Sequence, residues 1–136
     1  MGSSAEGSPA SGAARPDVAA IKAAWEAFEA EGPEAAMEQL LAISREDVEL
    51  RPYAAEGRVL RGAEELRRFF RELRDSGGSV RARPQSFAVE GDTVVVRGSI
   101  RVTRADGSFA ETKVRWRYRF EGGRLREVDW AARPGD

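Results

Sequence analysis

Val114-Arg115-Trp116-Arg117-Tyr118-Arg119-Phe120 places an arginine at every second position, with large apolar side chains between. Such a stretch is either a basic ribbon that grips nucleic acid or a strand with one wet face and one buried face. Successive side chains of a strand face opposite sides. Val114, Trp116, Tyr118 and Phe120 therefore share one face, while Lys113, Arg115, Arg117 and Arg119 share the other. A last strand, Leu125 to Ala131, puts Val128 and Trp130 inward and turns Glu127 and Asp129 toward the arginines. Each such cross-strand charge pair is worth about 0.2–1 kcal/mol. The whole chain carries 22 Lys and Arg against 23 Asp and Glu, a formal net charge of -1. Nucleic-acid binders draw most of their affinity from a basic excess. The stretch reads as a strand with a charge-paired outer face, and no nucleic-acid partner is expected.

Working outward, the chain has 136 residues, 41% of them hydrophobic and 33% charged. That suits one domain with its own core. Asp17 is placed to cap a helix on which Val18, Ile21, Trp25 and Phe28 recur at helical spacing. Gly32 stops it and Pro33 opens a second helix, with Met37, Leu40 and Leu41 as its apolar face. Val48 and Leu50 alternate with Glu49 and Arg51 in a short strand stopped by Pro52. A third helix follows Gly62, with Leu66, Phe69, Phe70 and Leu73 as its stripe and Ser76-Gly77-Gly78 as its stop. From Val80 onward the pattern is strands joined by short Gly-bearing turns at 90–92, 105–107 and 121–123. Pro84 marks an edge strand or a bulge. Helices first and strands after predict an α+β fold with the helices on one face of the sheet.

Residues 1–16, rich in Gly, Ser, Ala and Pro, read as a flexible leader, residues 17–132 as the domain and 133–136 as a tail. The start has no signal-peptide pattern, no apolar run reaches a membrane span, and a cytoplasmic location is the default expectation. There is no cysteine and no histidine. Thiolate chemistry, zinc sites built on His or Cys, and the commonest general base are thereby removed. No metal or cofactor is expected, and no Gly-rich segment has a phosphate-loop pattern.

Glu46-Asp47-Val48-Glu49-Leu50-Arg51-Pro52, then Gly57-Arg58-Val59-Leu60-Arg61-Gly62, then Glu64-Glu65-Leu66-Arg67-Arg68-Phe69-Phe70 resemble the SnoaL-like branch of the nuclear transport factor 2-like superfamily. Tyr118 to Leu125 supports the likeness, which covers Asp17 to Ala132. The resemblance implies three helices packed in a cone on a strongly curved antiparallel or mixed sheet, the cystatin-like α+β roll, with a pocket at one end and a homodimer as the common assembly. Such a fold hosts enzymes and binding proteins alike, so function is sought in the site.

The steroid isomerase members use a Tyr and two Asp at positions that fall here at Trp25, Arg51 and Trp116, none of which can exchange a proton near neutral pH. Epoxide hydrolase members pair two Asp with an Arg inside the pocket, and cyclase members use an Asp–His arrangement that a chain without histidine lacks. Asp129 is the only catalytic candidate: strand parity turns it outward, and a bulge near Arg126 would turn it inward. What the resemblance leaves is an aromatic-lined pocket with Trp25, Tyr53, Trp116, Tyr118 and Trp130 as ligand-binding candidates and Arg51 as an anion clamp at its mouth. Phe28, Phe69 and Phe87 read as core filling. The expected role is binding of a small apolar molecule. The alternative is a cofactor-independent cyclase, isomerase or hydrolase acting in the same pocket.

Overall fold

In the computed structural model the residues described are 16–52, 57–75 and 79–132. The expected leader up to residue 15, Tyr53, the stop at 76–78 and the tail at 133–136 lie outside them. Helix α1 runs from Val18 to Glu31, and the Asp17 carboxylate accepts from the Ala20 N–H at 3.0 Å, satisfying one of the first-turn donors. The N–H of Gly32 donates to the Phe28 carbonyl and closes α1. Pro33 then begins α2 (Pro33–Ala42), where its missing N–H costs nothing. After β1 (Ser44–Arg51) and the two-residue β2 (Leu60–Arg61) comes α3 (Gly62–Arg74). Four long strands complete the chain: β3 (Ser79–Glu90), β4 (Thr93–Thr103), β5 (Phe109–Glu121) and β6 (Arg124–Ala132).

The strands form one sheet in the order β2-β1-β6-β5-β4-β3. Every neighbouring pair is antiparallel except β1 and β6, which run parallel. A parallel pair cannot be joined by a hairpin, and here the intervening chain is α3 together with strands β2 to β5. The meander from β3 to β6 follows the sequence reading within a residue or two. The parallel junction and β2 were not read individually, and β1 begins at Ser44, four residues before Val48.

Two irregularities bend the long strands. Across β3 and β4 the register shifts between Pro84 and Ser86, so Pro84 sits on an edge strand at a bulge, as its ring requires. Opposite Pro84 stands Gly98, and a Cβ there would collide with the Arg83 carbonyl oxygen. The second shift lies between Arg119 and Phe120, opposite Arg126. Bulges curve a strand and raise its twist, and the sheet curves accordingly.

Inside the curve Ile21, Met37, Leu66, Phe69 and Phe70 of the helices meet Val48, Leu50, Val94, Val96 and Val128 of the sheet. Along β5 Val114, Trp116, Tyr118 and Phe120 are all buried, as alternation predicts. Trp130 is only half-buried, although it packs on the same core.

Candidate functional site

The aromatic residues of the core fall into two groups. Trp25 on α1 meets Trp116 on β5 edge to face, with ring centroids 4.6 Å apart, and Phe28 flanks Trp25 at 5.8 Å. Tyr118 is buried two residues along β5 from Trp116. Burial pushes its phenol far above the ordinary range, and the nearby Trp25 indole N–H acts weakly in the other direction. That N–H is itself buried and has no acceptor in hydrogen-bond alignment. Trp130 belongs to the other group, against Phe69 at 6.0 Å and Phe70 at 6.2 Å on α3. Of the expected site residues, Trp25, Trp116 and Tyr118 come together, Trp130 stands with α3, and Tyr53 lies outside the described residues.

Arg51 and Asp129 are on the far side of the sheet. The register places Arg117 opposite Asp129, and two hydrogen bonds of 3.2 and 3.1 Å join them. Arg119 reaches Glu127 at 3.1 and 3.0 Å. Arg51 contacts Glu127 at 2.9 Å through a poorly aligned Nε, and donates to Glu49 at 3.0 Å. Arg61 also donates to Glu49, and these two guanidinium groups hold the Glu49 carboxyl below its ordinary range. The irregularity expected at Arg126 is present and has an effect opposite to an inward turn. It lets Leu125 and Val128 both face the core, and Asp129 stays outside with Arg117. Asp129 thus has the sheet between itself and Tyr118, out of proton-transfer reach.

An open cleft of about 420 Å³ lies between α1 and β3. Trp25, Ala82, Pro84 and Phe87 form its apolar wall. Lys22 and Arg83 bring positive charge to it, and Glu26 and Glu29 bring negative charge. Lys22 Nζ sits 5.3 Å from the centre of the Phe87 ring, a cation–π distance. Sequence reasoning missed the four charged residues because each alone reads as a solvated surface group. Spacing carried the signal: Lys22 and Glu29 stand three before and four after Trp25, on its own helix face. The β3 bulge at Pro84 lies in the wall of the cleft that faces α1. Among the described residues no group of three or more acidic side chains is placed to hold a metal ion. No helix among them is long and apolar enough to cross a membrane.

A family model described as "SnoaL-like domain" matches residues 21–128. No curated protein matches the sequence. Among solved structures, an NTF2-like protein of unknown function from Burkholderia pseudomallei is 24% identical, with a TM-score of 0.69, over 85% of this chain and 88% of that one. TerC, co-crystallized with polyporic acid, is 22% identical with a TM-score of 0.71, over 85% and 90% of the two chains. A putative SnoaL-like polyketide cyclase from Mesorhizobium loti is 21% identical with a TM-score of 0.65, over 82% and 95%. At such identities the likeness establishes the fold.

Proposed function

The chain belongs to the SnoaL-like domain family, and from that premise we propose that it binds a small, mostly apolar molecule with a flat aromatic face in the cleft between α1 and β3. The observation that carries the reading is Trp25. Its ring forms part of the cleft wall, while its indole N–H is buried toward Tyr118, so that what it offers the cleft is apolar ring surface. Phe87 and Pro84 supply flat surface for stacking, and Lys22 and Arg83 supply charge for a polar edge of the ligand. TerC, which has the same fold, was co-crystallized with polyporic acid.

A binding role fits these residues better than catalysis does. Asp129, the one base read from the sequence, is tied to Arg117 on the far side of the sheet, away from the cleft. The test is a fluorescence titration with 1-anilinonaphthalene-8-sulfonate, which joins aromatic rings to an anion. One saturable site is expected, weakened about tenfold by Trp25→Ala, as the loss of one stacked ring implies. Ala82→Trp, which fills the cleft without disturbing the core pair, should block the probe. Equal binding by both variants and the parent would sink the reading.

A further inference from the structure

Of the 22 basic residues only two, Lys22 and Lys113, are lysines. Lys22 lines the α1–β3 cleft. Glu26 stands four residues further along the same face of α1, the spacing at which ion pairs form on a helix. Among the described residues Lys22 makes no ion pair, with Glu26 or with any other carboxylate. Its ammonium instead crosses to β3 and lies 5.3 Å from the centre of the half-buried Phe87 ring.

Phe87 supplies flat surface to the cleft, and in the free protein a cation already stands over it. A cation–π contact at an exposed site is weak and readily exchanged. A flat ligand reaches the ring only by displacing the ammonium. An anionic group on that ligand gives the displaced ammonium a new partner, and a neutral ligand gives it none. Lysine suits such an exchange, being a compact charge on a flexible stem, whereas an arginine would lie flat on the ring and hold it.

The α1 wall also sets a direction. Lys22 and Glu29 are seven residues apart, about 10 Å along the helix axis, with Glu26 between them. The wall is positive at its N-terminal end and negative beyond it. An anionic group is therefore drawn to the Lys22 end and repelled from the other. Arg83, the second cation of the cleft, stands over no ring among the described residues.

We propose that Lys22 selects the ligand. It covers Phe87 until a planar ring bearing its own anionic group exchanges places with it, which favours aromatic anions over the uncharged ring of the same shape. Binding in the cleft is the premise on which this rests; what Lys22 adds is the sign of the ligand's charge and the end of the cleft where that charge sits.

The test compares two probes with one ring system, 1-anilinonaphthalene-8-sulfonate and N-phenyl-1-naphthylamine, which lacks the sulfonate. Lys22→Ala, at an exposed helix position that alanine suits, should weaken the sulfonate probe about tenfold and tighten the uncharged one about threefold, because the ring is vacated. Arg83→Ala should weaken the sulfonate probe and leave the uncharged probe where it was. By NMR the Phe87 ring current should hold the Lys22 Hε protons upfield in the free protein, and the sulfonate probe should move them. Those of Lys113, across the sheet on β5, should stay in place. Weakening of both probes by the same factor in Lys22→Ala overturns the selection and leaves the cleft as the site. So does tightening of the uncharged probe by Arg83→Ala, or a Lys22 signal unmoved at saturation. Failure of both probes to bind the parent removes the cleft reading itself, and this inference with it.

Discussion

The two faces of β5 are built from the same thirteen residues and are held by different physics. Trp116, Tyr118 and Phe120 face inward, are between 2% and 4% exposed, and draw on apolar burial, which needs close packing but no particular partner. Arg117 and Arg119 face outward and depend on specific carboxylates directly opposite on the neighbouring strand, Asp129 and Glu127. A single register serves both faces. The inner face tolerates no change of volume, and the outer face tolerates changes of identity provided charge still meets charge.

The contrast is sharpest in stability. Trp116→Ala should cost about 3–5 kcal/mol in urea unfolding, the usual penalty for deleting a buried ring. A cost below that of Arg117→Ala would mean that the inner face is not the one holding the sheet. Next in size is Gly98→Ala. The new methyl would press on the Arg83 carbonyl, backbone that cannot swing away, and should cost about 1–3 kcal/mol. If Gly98→Ala melts with the parent, β3 and β4 are further apart at the bulge than the structure has them.

On the outer face the effects shrink. Hydrogen bonds from Arg61 and then Arg51 lower the Glu49 carboxyl below its ordinary 4.5. A depressed folded-state value means the stabilisation is complete above that ordinary value and is lost as pH falls through the folded one. Glu49→Gln should therefore flatten the acid side of the stability–pH curve by about 1 kcal/mol, since arginines this exposed are screened by water. An unchanged acid limb would show the network to be inert. Smallest of all is Asp129→Asn, which keeps an acceptor for Arg117 and should shift stability by no more than about 0.5 kcal/mol. A loss above 2 kcal/mol in chemical denaturation would break the comparison, because the outer face would then be as demanding as the inner.

How much of this was legible follows from the range of each interaction. The alternation in Val114–Phe120 is local, and it announced both faces of β5 and the acids opposite Arg117 and Arg119. The caps at Asp17 and Gly32 and the bulge at Pro84 are also written in residues next to one another. The pairing of β1 with β6 left no such trace, because its partners are far apart along the chain. The aromatics could be assigned to the interior by parity, but parity is silent on position along a strand. Hence Trp130 was grouped with Trp116, which does stand directly opposite it in the register, but parity could not show that its ring leans to Phe69 and Phe70 of α3. Lys22 and Arg83 were missed for a different reason: a charge at a cleft and a charge in open water look alike until two elements are seen to approach.

The parallel junction has a kinetic consequence. Arg124 donates to the Ser44 carbonyl and Arg126 to that of Asp47, contacts spanning 80 and 79 residues. The hairpins of β3 to β6 close over short loops, the last through Gly122 and Gly123, both at positive φ as a two-residue turn needs. Long loops must surrender more entropy before their contacts stabilise anything. We expect the meander to assemble early and β1 to dock onto β6 after the rate-limiting step. Leu50→Ala should then speed unfolding while barely slowing folding, and Val96→Ala should slow folding. Equal φ-values for the two would show the sheet closing in one concerted event.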